Sequence, residues 1–440
     1  MPRVLVVAYH FPPIGGGGVQ RNAKFVRYLP QFGYRPVVVT GPGGATGRWT
    51  PIDQSLNTTL NPETEVHRVA SPEPPVSTGW RAALEHRLMV QSPFERWWRQ
   101  GVLASGQSPG TGCDLVYGSI VPYHSAEAVA RLARALGKPW VADLQDPWAL
   151  DEVWSYTTEL HRRIDLARMR RLLGMADAVV MNTPEAMERV RRAFPELRSR
   201  LVVSIPNGFD ASDFESDQPR RTDRTFRIVH AGYLHTEEGL RIRGMGPARK
   251  LLGGRYLAAD MLTRSHVFLL EALRLAIDAD PSLARTVEVV LAGVVNDTDR
   301  RVASEAPVSV QLPGYVDHTE TVALLRGADL LFLPMHDLPR GTRAGLVPGK
   351  TYEYLATRVP ILAAVPDGDA RDLLAAAGNV ALCRPNDSRA MAEAIAAELE
   401  RWRAGESPPA PNEAVLARYE RRQLTEQLAG VFDTVLGRSP

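Results

Sequence analysis

Twice along the chain, short uninterrupted runs of Val, Leu, Ile and Ala alternate with segments whose apolar residues recur at helical spacing. No other feature restricts the fold as strongly. In the first half the candidate strands are Val4–Ala8, Pro36–Thr40, Asp114–Tyr117, Trp140–Leu144, Ala178–Asn182 and Leu201–Ile205. Most lack polar alternation, as strands do when helices cover both faces of a parallel sheet. Between the first two, Val19, Ala23, Val26 and Leu29 predict a helix over Gly18–Leu29, and Gly33 ends the connection, so the chain opens with a βαβ unit. After a polar stretch, Ser212–Thr225, which reads as an interdomain linker, the rhythm restarts. Its strands are Phe226–Ala231, Val287–Ala292, Val308–Leu312, Leu330–Pro334, Pro360–Ala364 and Asn379–Leu382. Helices are expected near His266–Ile277, His318–Arg326, Lys350–Ala356, Ala370–Ala377 and Arg389–Arg401, and Asn412–Leu436 reads as one last amphipathic helix. The expectation is therefore an α/β protein of two Rossmann-like, doubly wound domains, 1–206 and 207–410. A C-terminal helix within 411–440 packs back on the first domain. Ligands are expected in an interdomain cleft at the carboxyl ends of the strands.

Two regions break the rhythm: 41–110, with a patch of Trp80, Arg81, Arg87, Trp97, Trp98 and Arg99, and a Gly/Arg-rich insertion, 236–265. The patch has two readings, packing against the first domain's core or contact with a membrane interface bearing a lipid-linked acceptor. With 44% hydrophobic and 23% charged residues over 440 positions, the chain is globular rather than disordered. A formal net charge of +2 gives no ground for expecting a nucleic-acid partner. Cys113 and Cys383 have no metal-ligand spacing, which fits a reducing compartment. The apolar run at the N-terminus is too short for a signal-peptide core, and no stretch is long enough to span a bilayer. The expectation is a cytoplasmic protein, membrane-associated at the inner face if the patch serves that role.

Phosphate is the first ligand to consider. Gly15–Gly18 follows the first strand and opens the first helix, where backbone N–H groups and the helix dipole attract anions. The spacing is not G-x-G-x-x-G, and the second strand ends Val39-Thr40-Gly41 with no acid for an adenine ribose, so NAD is disfavoured. A flexible glycine turn is the plainer alternative. Arg21, on the first turn, either reaches an anion or is a solvated surface residue. Ala344–Thr351 fits a relaxed Walker pattern, yet about ten residues separate it from the preceding strand, which a P-loop does not allow. Its physical content survives: glycines leading into a helix that opens on a cation, with Lys350 and Arg343 as anion partners. Glu353, three residues on, either accepts from the two hydroxyls of a ribose or is a solvated helix carboxylate.

Several segments now converge. Pro348–Ile361, reading P-G-K-T-Y-E-Y-L-A-T-R-V-P-I, resembles the donor-binding segment of family 4 glycosyltransferases in the subgroup with a P-G-K-x-x-E-Y-L-A pattern. Phe11–Arg21 resembles the glycine-rich loop of that subgroup, and Asp143–Trp148, D-L-Q-D-P-W, its D-x-R-D-P-W segment. Ala176–Pro184, Ile205–Asp210 and Gly314–His318 are also similar, in the same order. The resemblance implies a GT-B fold with the nucleotide held mainly by the second domain, transfer with retention, and neither a cofactor nor an essential metal, the nucleotide-sugar being a substrate. Carried over by position, Glu353 binds the donor ribose. Lys350 and the backbone from Gly345 through Pro348 and Gly349 face the diphosphate. Val316 lies beside the base, Gly232 belongs to the donor set, and Gly16, Gly17 and Gly18 close on the donor. Two departures stand out. Gly345 occupies the place of a second glutamate, and Gly232–Glu238 lacks the family's Arg and Lys, for which Arg241, Arg243 or Lys250 are the substitutes at hand.

Further candidates are weaker. Asp143 and Asp146 sit at a strand's carboxyl end and are read as orienting acceptor hydroxyls, unless Asp146 caps a turn. His124, at a helix start, touches acceptor or sugar, or else caps the helix or lies on the surface. Asp367-Gly-Asp369 mimics a metal-binding D-x-D and reads better as a turn. The function expected is transfer of a sugar from a nucleoside-diphosphate sugar to a saccharide or lipid-linked acceptor, in polysaccharide or glycoconjugate assembly. A sugar-nucleotide epimerase of the same fold and a non-catalytic nucleotide-sugar-binding protein are the rivals.

Overall fold

The computed structural model describes residues 1–43, 52–75, 91–153, 156, 158–215, 221, 223–244 and 259–438. They divide into two compact units, one of residues 1–208 with 421–438, the other of residues 209–420. The boundary falls ahead of the polar stretch read as a linker.

The first unit is built on a seven-stranded sheet of β1 (Arg3–Ala8), β2 (Arg35–Thr40), β3 (Glu65–Arg68), β4 (Leu115–Ser119), β5 (Trp140–Leu144), β6 (Ala178–Met181) and β7 (Leu201–Ser204), in the order β3-β2-β1-β4-β5-β6-β7. Every pairing is parallel. The central strands are apolar on both faces because helices cover both, with core clusters around Val7, Val129 and Leu173 on one side and Val6, Phe25 and Leu428 on the other. β3 lies in the stretch read as irregular. Its residues, E-V-H-R, are half-exposed and largely charged, as suits a sheet edge. Trp98 is fully buried, its indole N–H donating to Ser125 Oγ at 3.0 Å, while Trp97 donates to Ser71. Arg99 donates to Gln91. These three members of the patch pack against the sheet's helices; Trp80, Arg81 and Arg87 lie outside the described residues.

The second unit repeats the plan with β8 (Phe226–Ala231), β9 (Val287–Ala292), β10 (Ser309–Gly314), β11 (Leu330–Pro334), β12 (Ile361–Ala364) and β13 (Val380–Cys383), all parallel, in the order β10-β9-β8-β11-β12-β13. In both sheets the strand order reverses beside the first strand of the unit, the topological switch point at which doubly wound sheets bind ligands.

The terminal segment read as one helix is two, Glu413–Ala417 and Arg421–Val435. The break comes where the Tyr419 carbonyl accepts the Phe209 N–H at 2.9 Å, so the short helix stays with the second unit while the long one belongs to the first. There Leu424, Leu428, Val431 and Phe432 are buried, the Phe432 ring meets Tyr34 and Tyr117 edge-on, and Tyr34 donates to Asp433 at 2.7 Å. Phe432→Ala should therefore cost about 3–5 kcal/mol, the usual range for a buried aromatic. The cost is read from the shift in the urea midpoint of the first unit's unfolding; an unmoved midpoint would mean the helix is not part of that core.

Candidate functional site

The second unit gathers its candidate residues at the carboxyl ends of β8 to β11. Gly232 follows β8 with φ +128°, Gly293 follows β9 with φ +138°, and Gly314 ends β10 with φ +82°. The first two pack backbone against backbone: a Cβ on Gly293 would stand 2.5 Å from the Gly232 carbonyl oxygen. Val316, half-buried, lies in the turn between β10 and the helix His318–Arg326, which Asp317 caps. After β11 the chain runs to Ala344, which forms a bridge with Gly368 and donates to the Asp367 carbonyl at 2.7 Å; it then enters the helix Gly349–Thr357 through Gly345 and Pro348. That helix has no side-chain cap; the Thr351 N–H donates to the Pro348 carbonyl at 2.9 Å, and the Gly349 and Lys350 amides lie at the positive end of its dipole. The hydroxyl of Thr351 is buried there with no hydrogen bond among the described residues.

Lys350 projects from this first turn. Its ammonium is 3.2 Å from His230 Nε2, and a Cβ on Gly232 would come within 2.2 Å of it, so the absence of a side chain at 232 makes its position possible. Burial, then the nearby Arg264 guanidinium, lower its pKa to about 7, with Glu353 pulling the other way. Glu353 lies on the same helix face, half-exposed, and no hydrogen bond or ion pair holds its carboxylate among the described residues. Arg264 is the cation that sequence reading missed. It stands just ahead of the helix Val267–Ala279, where its carbonyl accepts the His235 N–H at 3.0 Å and its charge bears on Lys350, His230 and His235. The substitutes proposed for it are placed otherwise. Arg243 pairs with Asp260, Arg241 lies by Glu238, and Lys250 is outside the described residues. Arg343 is also corrected: its guanidinium is bound to Asp372 at 2.6 Å and Asp369 at 3.3 Å, not held out for an anion. Asp367-Gly-Asp369 is a turn into the next helix, braced by Arg384 on Asp367 and by Gly368 at φ +146°.

In the first unit, Gly16 takes φ +101° ahead of the helix Gly17–Tyr28, and the Gly18 carbonyl accepts from Gln145 Nε2 at 3.1 Å. The expectations for Arg21 and Asp143 are both corrected. Arg21 is 1% exposed and Asp143 is fully buried. The guanidinium grips both carboxylate oxygens at 2.8 Å, and its remaining arm donates to the Pro206 carbonyl. The Tyr117 hydroxyl also donates to Asp143. Arg21 is thus neither solvated nor offered to a ligand, and Asp143 is occupied by donors of its own domain. His124 precedes the helix Ser125–Leu136 without capping it. Its Nδ1 is 3.4 Å from Glu95, and burial, then Arg168, lower its pKa to about 4. Asp146 is half-buried, and its charge bears on Tyr123 and on Asp151, whose carboxyl burial and neighbouring carboxylates push upward. Tyr123 stacks on Trp148 with ring centroids 5.3 Å apart.

With this geometry in hand, the chain can be set against known proteins. Residues 15–213 match the family model described as Glycosyltransferase Family 4, and residues 256–401 match that of Glycosyl transferases group 1. No curated protein matches by sequence. Among solved structures, sucrose-phosphate synthase from Thermosynechococcus elongatus is 15% identical over all of both chains, with a TM-score of 0.62. The Anabaena protein HepE, solved with UDP and glucose, is 15% identical over 99% of this chain and 100% of its own, with a TM-score of 0.59. α,α-Trehalose 6-phosphate synthase from Burkholderia multivorans is 14% identical over 99% of each chain, also at 0.59. These likenesses establish the GT-B fold, and the two family models occupy its two halves. Together, the two matches and the fold support a GT-B, family 4-like glycosyltransferase.

The Arg21–Asp143 pair yields a stability test. Arg21→Leu leaves a buried carboxylate without its cation and should cost about 3–5 kcal/mol, whereas Arg21→Met with Asp143→Leu should recover most of that. Equal losses in the single and double variants, measured by denaturant unfolding, would show that the charges themselves do not set the cost.

Proposed function

We propose that the chain transfers a sugar, with retention, from a nucleoside-diphosphate sugar to a saccharide or lipid-linked acceptor in polysaccharide or glycoconjugate assembly. The observation that carries the donor half is Lys350 at the mouth of a helix without a side-chain cap, one turn ahead of the Glu353 carboxylate, which no hydrogen bond or ion pair holds among the described residues. As the bond to the anomeric carbon breaks, charge builds on the leaving diphosphate. Lys350, Arg264 and the first-turn amides would stabilise it, and an ammonium in a partly dry site does so more strongly than in water. Glu353, at i+3, is in position to accept from a pentose hydroxyl pair next to that diphosphate. The structures of HepE solved with UDP and with UDP-glucose make uracil the first base to try.

Acceptor binding is assigned to the first unit, around Asp146 and His124, with the latter neutral near physiological pH. A peripheral membrane contact is part of the proposal. It is supported by the helix Glu159–Leu173, which exposes Leu160 and Ile164 and also exposes Arg163, Arg170 and Arg171, the first paired with Glu159 and the second with Glu196.

Two measurements test these readings. Glu353→Ala should weaken binding of the preferred nucleotide-sugar, chosen from UDP-, GDP- and dTDP-sugars by calorimetry, by ~1–3 kcal/mol without lowering the melting temperature; unchanged affinity removes the ribose role. Sugar released or isomerised with no acceptor present would point to hydrolysis or epimerisation instead of transfer. In the second test, the protein should co-sediment with vesicles containing anionic phospholipid and lose that binding in Leu160→Glu with Ile164→Glu. Equal partition to neutral and anionic vesicles, or none to either, would overturn the membrane contact.

A further inference from the structure

Lys350 is not placed by its helix alone. His230, on β8, is fully buried, and its Nδ1 lies 2.9 Å from the Phe332 carbonyl on the neighbouring β11. That carbonyl can only accept, so Nδ1 carries the proton and Nε2 keeps its lone pair. The Lys350 ammonium, 3.2 Å away, donates into that lone pair. Tyr354, one turn beyond Lys350, completes the clamp, its hydroxyl oxygen accepting the Ala231 N–H at 2.8 Å and lying 3.4 Å from Nδ1. Strand and helix are thus bolted together on both sides of the ammonium, and Gly232 leaves the space it fills.

The acceptor's charge state matters as much as its position. A carboxylate in that place would hold the ammonium and also neutralise it, as Asp143 does to Arg21. A neutral imidazole orients the ammonium and leaves its charge for another anion. We propose that His230 is the positioning residue for Lys350, holding its ammonium at the carboxyl edge of the second sheet with the charge unspent until a donor diphosphate arrives. This rests on the donor reading of Lys350 given above.

The electrostatics agree. Burial, then the Lys350 charge, push the His230 pKa well below its usual value, so the imidazole stays neutral and its lone pair persists. Lys350 itself titrates near 7 through burial and Arg264, against Glu353. The remaining titratable neighbours are His235, tied to Glu238, His266, which adds to the field at His230, and Tyr354, whose phenol burial pushes far up. Without a ligand the lysine is therefore part-neutral at physiological pH, and an arriving diphosphate draws a proton onto it. Because the anion needs the charged form, donor affinity is full below about 7 and falls as pH rises, by at most about tenfold per pH unit for one proton. The phosphates of an intact nucleotide-sugar keep their charge through this range and contribute no slope.

The test is calorimetric titration of the preferred nucleotide-sugar between about pH 6 and pH 9, on wild type, Lys350→Met, His230→Leu and His230→Gln. His230→Leu should weaken binding roughly ten- to a hundredfold, the worth of one hydrogen bond to a charged group, and move the pH profile. His230→Gln should restore most of both, since its carbonyl accepts from Lys350 while its amide N–H donates to Phe332. If Lys350→Met abolishes binding while His230→Leu keeps wild-type affinity and slope, the positioning role is wrong and the donor reading stands. If Lys350→Met binds as wild type, the donor reading itself fails. Should His230→Leu not fold, the nitrogen-15 shifts of His230 in the wild-type chain decide: a neutral, Nδ1-protonated ring from about pH 5.5 to 8 is expected, and an Nε2-protonated or doubly protonated ring overturns the proposal.

Discussion

An ammonium drawn partly out of water with no carboxylate bonded to it is expensive, and in the second unit much of the local structure exists to hold one. Burial and Arg264 both work against the charge on Lys350. What keeps it in place is a neutral acceptor, His230, itself locked by a strand carbonyl, and a glycine whose missing side chain leaves it room. The first unit buries a cation on its opening helix too, but there the guanidinium meets both oxygens of Asp143 and a tyrosine hydroxyl. The same kind of charge is cancelled in one unit and kept live in the other. That difference separates an internal tie from a group prepared for a ligand.

The sheets were legible because strands buried on both faces must be apolar at every position, and such runs cannot be confused with amphipathic helices over so short a length. Most of the twelve strands read from the sequence stand out on that basis; β10, a half-exposed edge, shows instead an alternating V-S-V-Q-L run, and β3 shows neither, since E-V-H-R is a half-wet edge with nothing apolar to repeat. Asn412–Leu436 reads as one helix because Leu416, Leu424 and Leu428 keep helical spacing across the interruption at Tyr419. The interruption comes from a backbone bond to Phe209, some two hundred positions earlier, which no local pattern announces.

The same limit governs the site. Lys350 and Glu353 could be found because they share one helix turn with a recognisable motif, and the glycines could be found because their conformations demand them. Arg21 and Asp143 read as separate groups because they are 122 positions apart in sequence and only the fold reveals that they neutralise each other. Arg264 escapes a sequence reading for the same reason. The insertion after β8 separates it from Gly232 in sequence and returns it to the same place in space. Arg243 was a sensible substitute by composition, but an exposed arginine near an aspartate forms a surface pair, as it does with Asp260.

The glycine at 345 fits this arrangement. A second carboxylate on the approach to the helix would stand near an ammonium that already has Glu353 beside it, and would raise the proton affinity that Arg264 and burial hold down. The chain instead leaves the approach uncharged and spends its nearby acids elsewhere: Asp369 and Asp372 on Arg343, and Asp367 on Arg384. These pairs fasten the turn at Gly368, against which Ala344 is bridged, and so fix the backbone from which Gly345, Pro348 and Gly349 lead into the helix. Acid–base pairs thus serve as scaffolding one layer back, and the first turn carries a cation whose nearest bonded neighbour is uncharged. A site arranged in this way selects a ligand that brings its own negative charge.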